Sequence, residues 1–307
     1  MFPFTLQQLR ILKAIATEKN LTKAADILYL SQPSLSKQIK TLEKNLSVVL
    51  INRENNKISL TENGEILLHY SERILPLCEE CCRVLIDLKH GERGNLTIGA
   101  SQTIGRYLLP KVIELFLKNY PQINLEVKIN STRIITKSVK NREVDIGLVN
   151  GKIPNELKKH VLVESFLKDE ILLIVSKSHS FASKSFLSKK DLYGLNFITL
   201  NSSSRFQKFM DSILIQNQIE INKLKIILQL NSIEGMKAAV SLGLGVAFIS
   251  SSAIEKEMEL KTIKILKIEN ISISQPLSIL NNPKSAKAKA LQFFSMELDK
   301  LKNNLEN

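Results

Sequence analysis

The sequence predicts an α/β protein headed by a small all-α unit, and three observations carry that expectation. Three amphipathic helices precede a hairpin pattern within the first 60 residues, a heptad-like seam runs from Leu67 to Leu88, and strands then alternate with helical segments over most of the remaining chain.

The first helix is predicted over residues 6–16, with Leu9, Leu12, Ile15 and Ala16 on its apolar face. Thr22 is the expected N-cap of a second, short helix that turns Ala24, Ala25 and Leu28 inward. A third helix starts on Ser31, carries Pro33 in its first turn, where a missing N–H costs nothing, and runs to about Leu46. At ~100° per residue, Leu35, Ile39, Leu42 and Leu46 make a core-facing stripe roughly 60° wide. Opposite it lie Pro33, Lys37, Lys40 and Lys44, flanked by Ser34 and Ser36, while Glu43 projects sideways. A run of charges on a helix is in the first instance a solvated face. Here two short helices precede it and the patterns 50–53 and 57–60 follow as a two-stranded hairpin, which makes the set a winged helix-turn-helix. In that arrangement the third helix enters the major groove, its N-terminal residues reach base edges, and flanking cations neutralise phosphates. Arg53 and Lys57 would flank the wing.

From Thr61 to about Lys89 the pattern is one long helix. Leu67, Tyr70, Ile74, Leu77, Cys81, Val84 and Leu88 recur at spacings of three and four, which predicts a helix–helix dimer contact, with packing on the body of the same chain as the alternative. Pro76 is expected to kink it. Cys81 reads as a small apolar residue filling the seam, with a redox switch as the other reading. Beyond Gly94, strands are predicted at 95–100, 124–130, 144–149, 171–176, 196–200, 226–230, 245–249 and 276–280, separated by helices, so the sheets should be largely parallel. A last helix at about 285–303 presents Leu291, Phe294, Leu298 and Leu301 on one face.

At 307 residues the chain fits two or three domains, and 44% hydrophobic with 24% charged residues is an ordinary soluble composition. No apolar run approaches the ~20 residues of a membrane helix. The net charge of +13 suits a polyanionic partner, yet it is spread: the first 60 residues carry nine Lys and Arg against four Asp and Glu, and the other 247 carry 34 against 26. Placement on the third helix is therefore the stronger sign. Cys78, Cys81 and Cys82 all fall within five residues, which is no disulfide framework and implies a reducing compartment. The amphipathic pattern begins at Leu6 and is expected to leave no room for a signal or transit peptide. His69, His90, His160 and His179 lack zinc-ligand spacing, so no metal is expected. Gly243 and Gly245 form a lone GxG that reads as a tight connection, and no Walker, dinucleotide or nucleophile-elbow pattern occurs. No enzymatic chemistry and no cofactor are indicated.

The stretch LQQLRILKAIATEKNLTKAADILYLSQPSLSKQIKTLEKNL, followed by VVLINRENNKISLTENGEILL, resembles the LysR-type transcriptional regulators, and the likeness runs nearly the whole chain. Thr22, Ala24, Ala25, Ser31, Gln32, Pro33, Ser34, Ser36, Ile39, Leu42, Glu43, Arg53, Leu60, Thr61 and Gly64 fall where that family wants those residue types. Ser47 replaces a usual glycine, Ile51 a usual phenylalanine, and Lys37 a common arginine, which keeps the charge but loses the bidentate fork. The resemblance implies a winged helix-turn-helix at 1–60, a linker helix for dimerisation at 61–90 and an effector-binding domain at 91–307 that is similar to periplasmic binding proteins. Its first subdomain would be about 91–165 with 268–307 and its second about 166–267. The DNA-binding set implied is Thr22, Ser31, Gln32, Pro33, Ser34, Ser36, Lys37, Lys40, Arg53 and Lys57. In such a fold a ligand sits between the subdomains near helix N-termini and strand ends, which points to Ser101, Gln102, Thr103, Ser202, Ser203 and Arg205, residues that equally suit helix caps and turns.

Within the family the likeness is greatest to the plastid-encoded regulators of the RuBisCO operon in algae. That implies double-stranded DNA, a small-molecule effector such as a Calvin-cycle sugar phosphate or NADPH, RNA polymerase, and a homodimer or homotetramer, all in the plastid (chloroplast) stroma and none at a membrane. Lysine outnumbers arginine 34 to 9, as AT-rich coding produces, and a regulator of another operon in the cytoplasm of an AT-rich bacterium would show the same bias. An enzyme or solute-binding protein built on the α/β module, and a non-specific nucleoid protein, are the rivals from other classes.

Overall fold

Local capping sets the N-terminal helices. In the computed structural model, which describes residues 2–54, 57–90, 94–184, 186–285 and 288–306, α1 (Leu6–Glu18) starts on Thr5. The Thr5 hydroxyl accepts the Gln8 N–H and the Gln8 carboxamide accepts the Thr5 N–H, so two orphan donors are satisfied reciprocally. α2 (Leu21–Ile27) is capped by Asn20 and not by Thr22. Asn20 Oδ1 accepts the Lys23 N–H at 3.0 Å, and Thr22 becomes an exposed residue of the first turn, because the Asn20 amide reaches that turn first. α3 (Gln32–Leu46) starts on Ser31, whose hydroxyl accepts the Ser34 N–H.

Leu35, Ile39 and Leu42 of α3 are buried with Ile11, Leu12 and Ile15 of α1, Ala24 and Ala25 of α2, and Leu50 and Ile51 beyond. Strands β1 (Ile51–Glu54) and β2 (Lys57–Leu60) pair antiparallel as the wing, with Ile51 opposite Leu60. Glu43 does more than project sideways: its Oε1 accepts the N–H groups of Leu50 (2.8 Å) and Ile51 (3.3 Å) and ties the wing to α3.

α4 (Glu62–His90) runs on through Pro76. Gly64 lets it approach the wing, since a Cβ there would collide with the Leu50 carbonyl oxygen. One side of α4 is taken up by its own chain: Leu67 packs on the winged-helix core, Ser71 and Leu75 are buried, and Glu80 meets Arg142 at 2.8 Å. Leu67 is thus committed within the chain and is withdrawn from the predicted seam. Tyr70 and Leu77 are about half exposed and Cys81 is exposed, while the side chains of Val84 and Leu88 lie outside the described residues.

The remainder forms two lobes. β3 (Gly94–Ser101) lies parallel to both β4 (Ile123–Asn130) and β5 (Ile146–Asn150), joined by α5 (Leu109–Asn119) and α6 (Thr132–Lys140). After the short α7 (Asn155–Lys158), β6 (Leu162–Ser176) carries the chain into the second lobe and β12 (Ile273–Asn281) brings it back, antiparallel to β6 and β5. The second lobe holds β7 (Phe186–Leu187), the parallel pair β8 (Asn196–Leu200) and β9 (Lys225–Leu230), and the strands β10 (Ala247–Ser250) and β11 (Ile263–Ile268), both antiparallel to β6. Its helices are α8 (Arg205–Gln216), α9 (Ile233–Ser241) and α10 (Glu255–Glu259). α11 (Lys289–Glu306) returns to the first lobe and buries Phe294, Leu298 and Leu301 with Phe116 of α5.

All eight expected strands are present, and the sheets are mixed rather than largely parallel. Two strands that cross between lobes in opposite directions must run antiparallel, and they recruit β10 and β11 in the same sense. Strands β7 and β11 have no counterpart among the predicted ones, and β6 begins at Leu162, well ahead of the expected 171. Gly243 (φ +82°) and Gly245 make the tight connection expected between α9 and β10, and a Cβ on Gly245 would strike the Asn196 carbonyl oxygen. Among the described residues no helix is long and apolar enough to cross a membrane.

Candidate nucleic-acid interface and ligand cleft

The buried stripe of α3 fixes what its opposite face shows to solvent. Gln32, Pro33, Ser34, Lys37, Lys40 and Lys44 are all exposed, and Pro33, Ser36, Lys37, Lys40, Thr41 and Lys44 line one shallow concavity. Lys37, Lys40 and Lys44 have no ion-pair partner among the described residues, so their charge is free for an anion outside the chain. Gln32 Nε2 donates to Ser36 Oγ at 3.3 Å, a long bond that holds the amide over the first turn. Tyr29, passed over in the sequence, stands 97% exposed in the turn before α3 with φ +55°. Its exposure follows from a left-handed turn, which hydrophobic periodicity does not signal. Arg53 and Lys57 lie in the paired wing strands, and their side chains fall outside the described residues.

Between the lobes lies a cleft of about 390 Å³. Of the six residues expected there, Ser101, Gln102, Thr103, Ser203 and Arg205 line it. Ser202 does not: it lines a separate cavity beneath α8, because the turn ahead of that helix directs successive residues to different sides. The sequence reading missed Arg106, and it missed Asn130, Ser131 and Thr132 at the start of α6 and Asn231 and Ser232 at the start of α9. Ser131 and Ser232 cap their helices, so each strand–Ser–helix junction was a signal that could have found them.

Four helix starts therefore converge on one space: the helical turn after Ser101, α6, α8 and α9. The turn at Ile104–Leu108 is widened to π geometry, a local irregularity common at functional sites. Helix N-termini present unpaired N–H groups and partial positive charge. The side chains agree: Arg106 and Arg205 line the cleft and no carboxylate does. Ser101 is 2% exposed and its Oγ has no hydrogen-bond partner among the described residues, an orphaned polar atom at the cleft floor. The cleft lining thus offers hydrogen-bond donors and positive charge without a carboxylate. Outside the cleft lining two further contacts join the lobes: the Tyr107 hydroxyl donates to Glu234 at 2.5 Å and Lys111 pairs with Glu255 at 2.6 Å. Burial works against the Glu234 charge, but hydrogen bonds from Tyr107 and Lys237 outweigh it and hold its carboxyl below the usual range. Among the described residues no cluster of His, Cys, Asp and Glu is set to hold a metal ion.

Two family models match the chain: bacterial regulatory helix-turn-helix protein, lysR family, over residues 6–65, and LysR substrate binding domain over residues 89–300. A "Probable RuBisCO transcriptional regulator" of Phaeodactylum tricornutum (strain CCAP 1055/1) is 69% identical over 307 residues, 100% of each chain. One of Synechocystis sp. (strain ATCC 27184 / PCC 6803 / Kazusa) is 45% identical over 296 residues, 96% of this chain and 86% of that one. Among solved structures, full-length CbnR complexed with its target DNA is similar in fold, with a TM-score of 0.69 and 19% identity over 97% of this chain and 99% of that one.

Proposed function

Because the chain belongs to the LysR family of transcriptional regulators, we propose that it controls the RuBisCO genes from an inverted-repeat promoter site and answers to an anionic metabolite held in its cleft. It is a DNA-binding regulator with an effector-binding domain, and not an enzyme. The observation that carries the DNA reading is the exposed face of α3, whose lysines have no ion-pair partner among the described residues while Gln32 and Ser34 stand at the end that meets base edges. Thr22, Ser31, Ser36, Arg53 and Lys57 complete the proposed contact set. The half-exposed Tyr70 and Leu77 of α4 bring two copies together, so that two α3 helices face two half-sites.

For the effector, the convergent helix starts, two arginines and absent carboxylates favour a phosphorylated sugar of the Calvin cycle, with NADPH as the larger alternative. Relatives named as RuBisCO regulators in algae and a cyanobacterium support the target genes and a plastid setting, where the regulator would act on RNA polymerase. A ligand shifts an equilibrium only through unequal affinity for two states, so the metabolite must alter how the lobes meet and hence how the dimers sit on DNA. Footprinting upstream of the RuBisCO genes, with and without ribulose 1,5-bisphosphate and NADPH, tests this. A protected inverted repeat whose boundaries change with one metabolite is expected. Protection everywhere would mark a nucleoid protein, and no protection there but at another operon would move the target.

A further inference from the structure

Beneath the cleft, the second lobe holds another cavity, of about 200 Å³, between α8 and the sheet face it covers. β8 alternates its side chains, so Phe197 joins the core under α8 while Ile198 and Leu200 join the core under α9. Phe197, Met210, Leu214 and Phe248 make most of the wall apolar. The polar end is small and specific. Thr199, on the Phe197 side of β8, is 9% exposed, lines the cavity and has an Oγ1 without a hydrogen-bond partner among the described residues. A buried hydroxyl left unpaired in a native structure calls for a missing partner. Gln207 is already committed, its Oε1 accepting the Leu200 N–H and its Nε2 donating to Asp211 Oδ1 at 2.8 Å, and the Asp211 carboxylate lines the same cavity.

We propose that this cavity is a second small-molecule site, distinct from the anion cleft, that takes an uncharged ring alcohol. Size argues for the ring: an apolar cavity of about 150 Å³ admits benzene, so this one has room for a ring and a short substituent. The polar end argues for the hydroxyl, which accepts from Thr199 and donates to Asp211, whereas the Asp211 carboxylate repels carboxylates and phosphates. Phe206 lines both this cavity and the cleft, so an occupant bears directly on the first turn of α8 and on Arg205. The site stands whatever the cleft binds.

Methionine-methyl NMR of the full chain reads it directly. Met210 and Met236 line the cavity, while Met258 and Met296 lie outside it and serve as controls. Benzyl alcohol should shift the Met210 and Met236 resonances saturably and leave the controls in place, and benzoate should not. Thr199→Val should weaken benzyl alcohol by about five-fold, the ordinary net worth of one hydrogen bond, with toluene unaffected. Leu214→Phe should abolish binding of both while the control methyls keep their positions, which reports an intact fold. Shifts spread equally over Met210, Met236, Met258 and Met296, no saturable shift, benzoate binding as tightly as benzyl alcohol, or an unchanged affinity in Thr199→Val would each overturn the proposal.

Discussion

Gln32 and Lys40 sit two turns apart on one exposed face and are expected to do different work. A side-chain amide at the helix start has the geometry to pair with a base edge, whereas an ammonium halfway along the helix meets phosphate. Gln32→Ala should cost about 1–3 kcal/mol on the cognate site and flatten its base preference. Lys40→Ala should weaken cognate and scrambled duplexes alike and reduce the salt slope by about 0.9. Salt titrations of both variants on both duplexes measure this, and a Lys40→Ala variant that changed base preference would reverse the docking. Ser47 offers a stability test at the same scale. It ends α3 with φ +55°, a left-handed conformation that costs an L-residue about 1–2 kcal/mol and glycine almost nothing. Ser47→Gly should therefore raise the stability of the winged helix by about 1 kcal/mol in thermal unfolding. A lower melting temperature would mean that the serine hydroxyl contributes more than the backbone strain removes.

At the scale of elements, the proposed contact between copies falls to α4. Its inward side is spent on Leu67, Ser71 and Leu75, and its outward side leaves Tyr70 and Leu77 about half exposed along one line with Cys81. Leu77→Asp removes little within the chain but buries a charge in a dimer seam, which is strongly unfavourable. Sedimentation velocity should find monomers that retain the wild-type helical content and bind half-sites poorly. A dimeric variant would show that the copies meet elsewhere. Cys78, Cys81 and Cys82 are free thiols on this helix, with Cys81 and Cys82 exposed.

For the whole molecule, the joint between lobes is the pair β6 and β12, and Asp169 sits in it. Opposite Gln275 in the ladder, its carboxylate accepts from Ser250 Oγ (2.6 Å) and Gln275 Nε2 (3.0 Å). Burial pushes its pKa above the ordinary carboxylate value, although these hydrogen bonds pull the other way. A raised folded-state pKa means that the folded form holds the proton more tightly. This contribution is then fully present below the unfolded value of about 3.9 and is lost as pH rises through the raised folded value. Asp169→Asn lacks that titration. The stability of the wild type relative to this variant, from urea unfolding at a series of pH values, should fall as pH rises from about 4; a difference that grows with pH would contradict the sign.

Most of the winged helix, the long helix and eight strands were legible in the sequence, because periodicity of 3.6 or 2 and capping chemistry are local properties. Local too was the α3 face, since burying Leu35, Ile39 and Leu42 forces Lys37 and Lys40 outward. The tertiary structure decided what depends on partners distant in the chain. Asn20 in place of Thr22 at the α2 cap is a contest between two neighbouring good caps that only the backbone path resolves. Leu67 turned inward because the winged-helix core lies beside it, a fact outside any heptad count. The antiparallel ladders follow from the chain crossing between lobes twice in opposite directions. The cleft collects Ser101, Ser131, Arg205 and Ser232 from four helix starts spread over more than 130 residues, and its lack of carboxylates is a property of that assembly alone. Local pattern determined the elements and the exposed basic face of α3; three-dimensional convergence decided which polar residues line one cleft, because burial and charge in a cleft are set by neighbours that sequence keeps far apart.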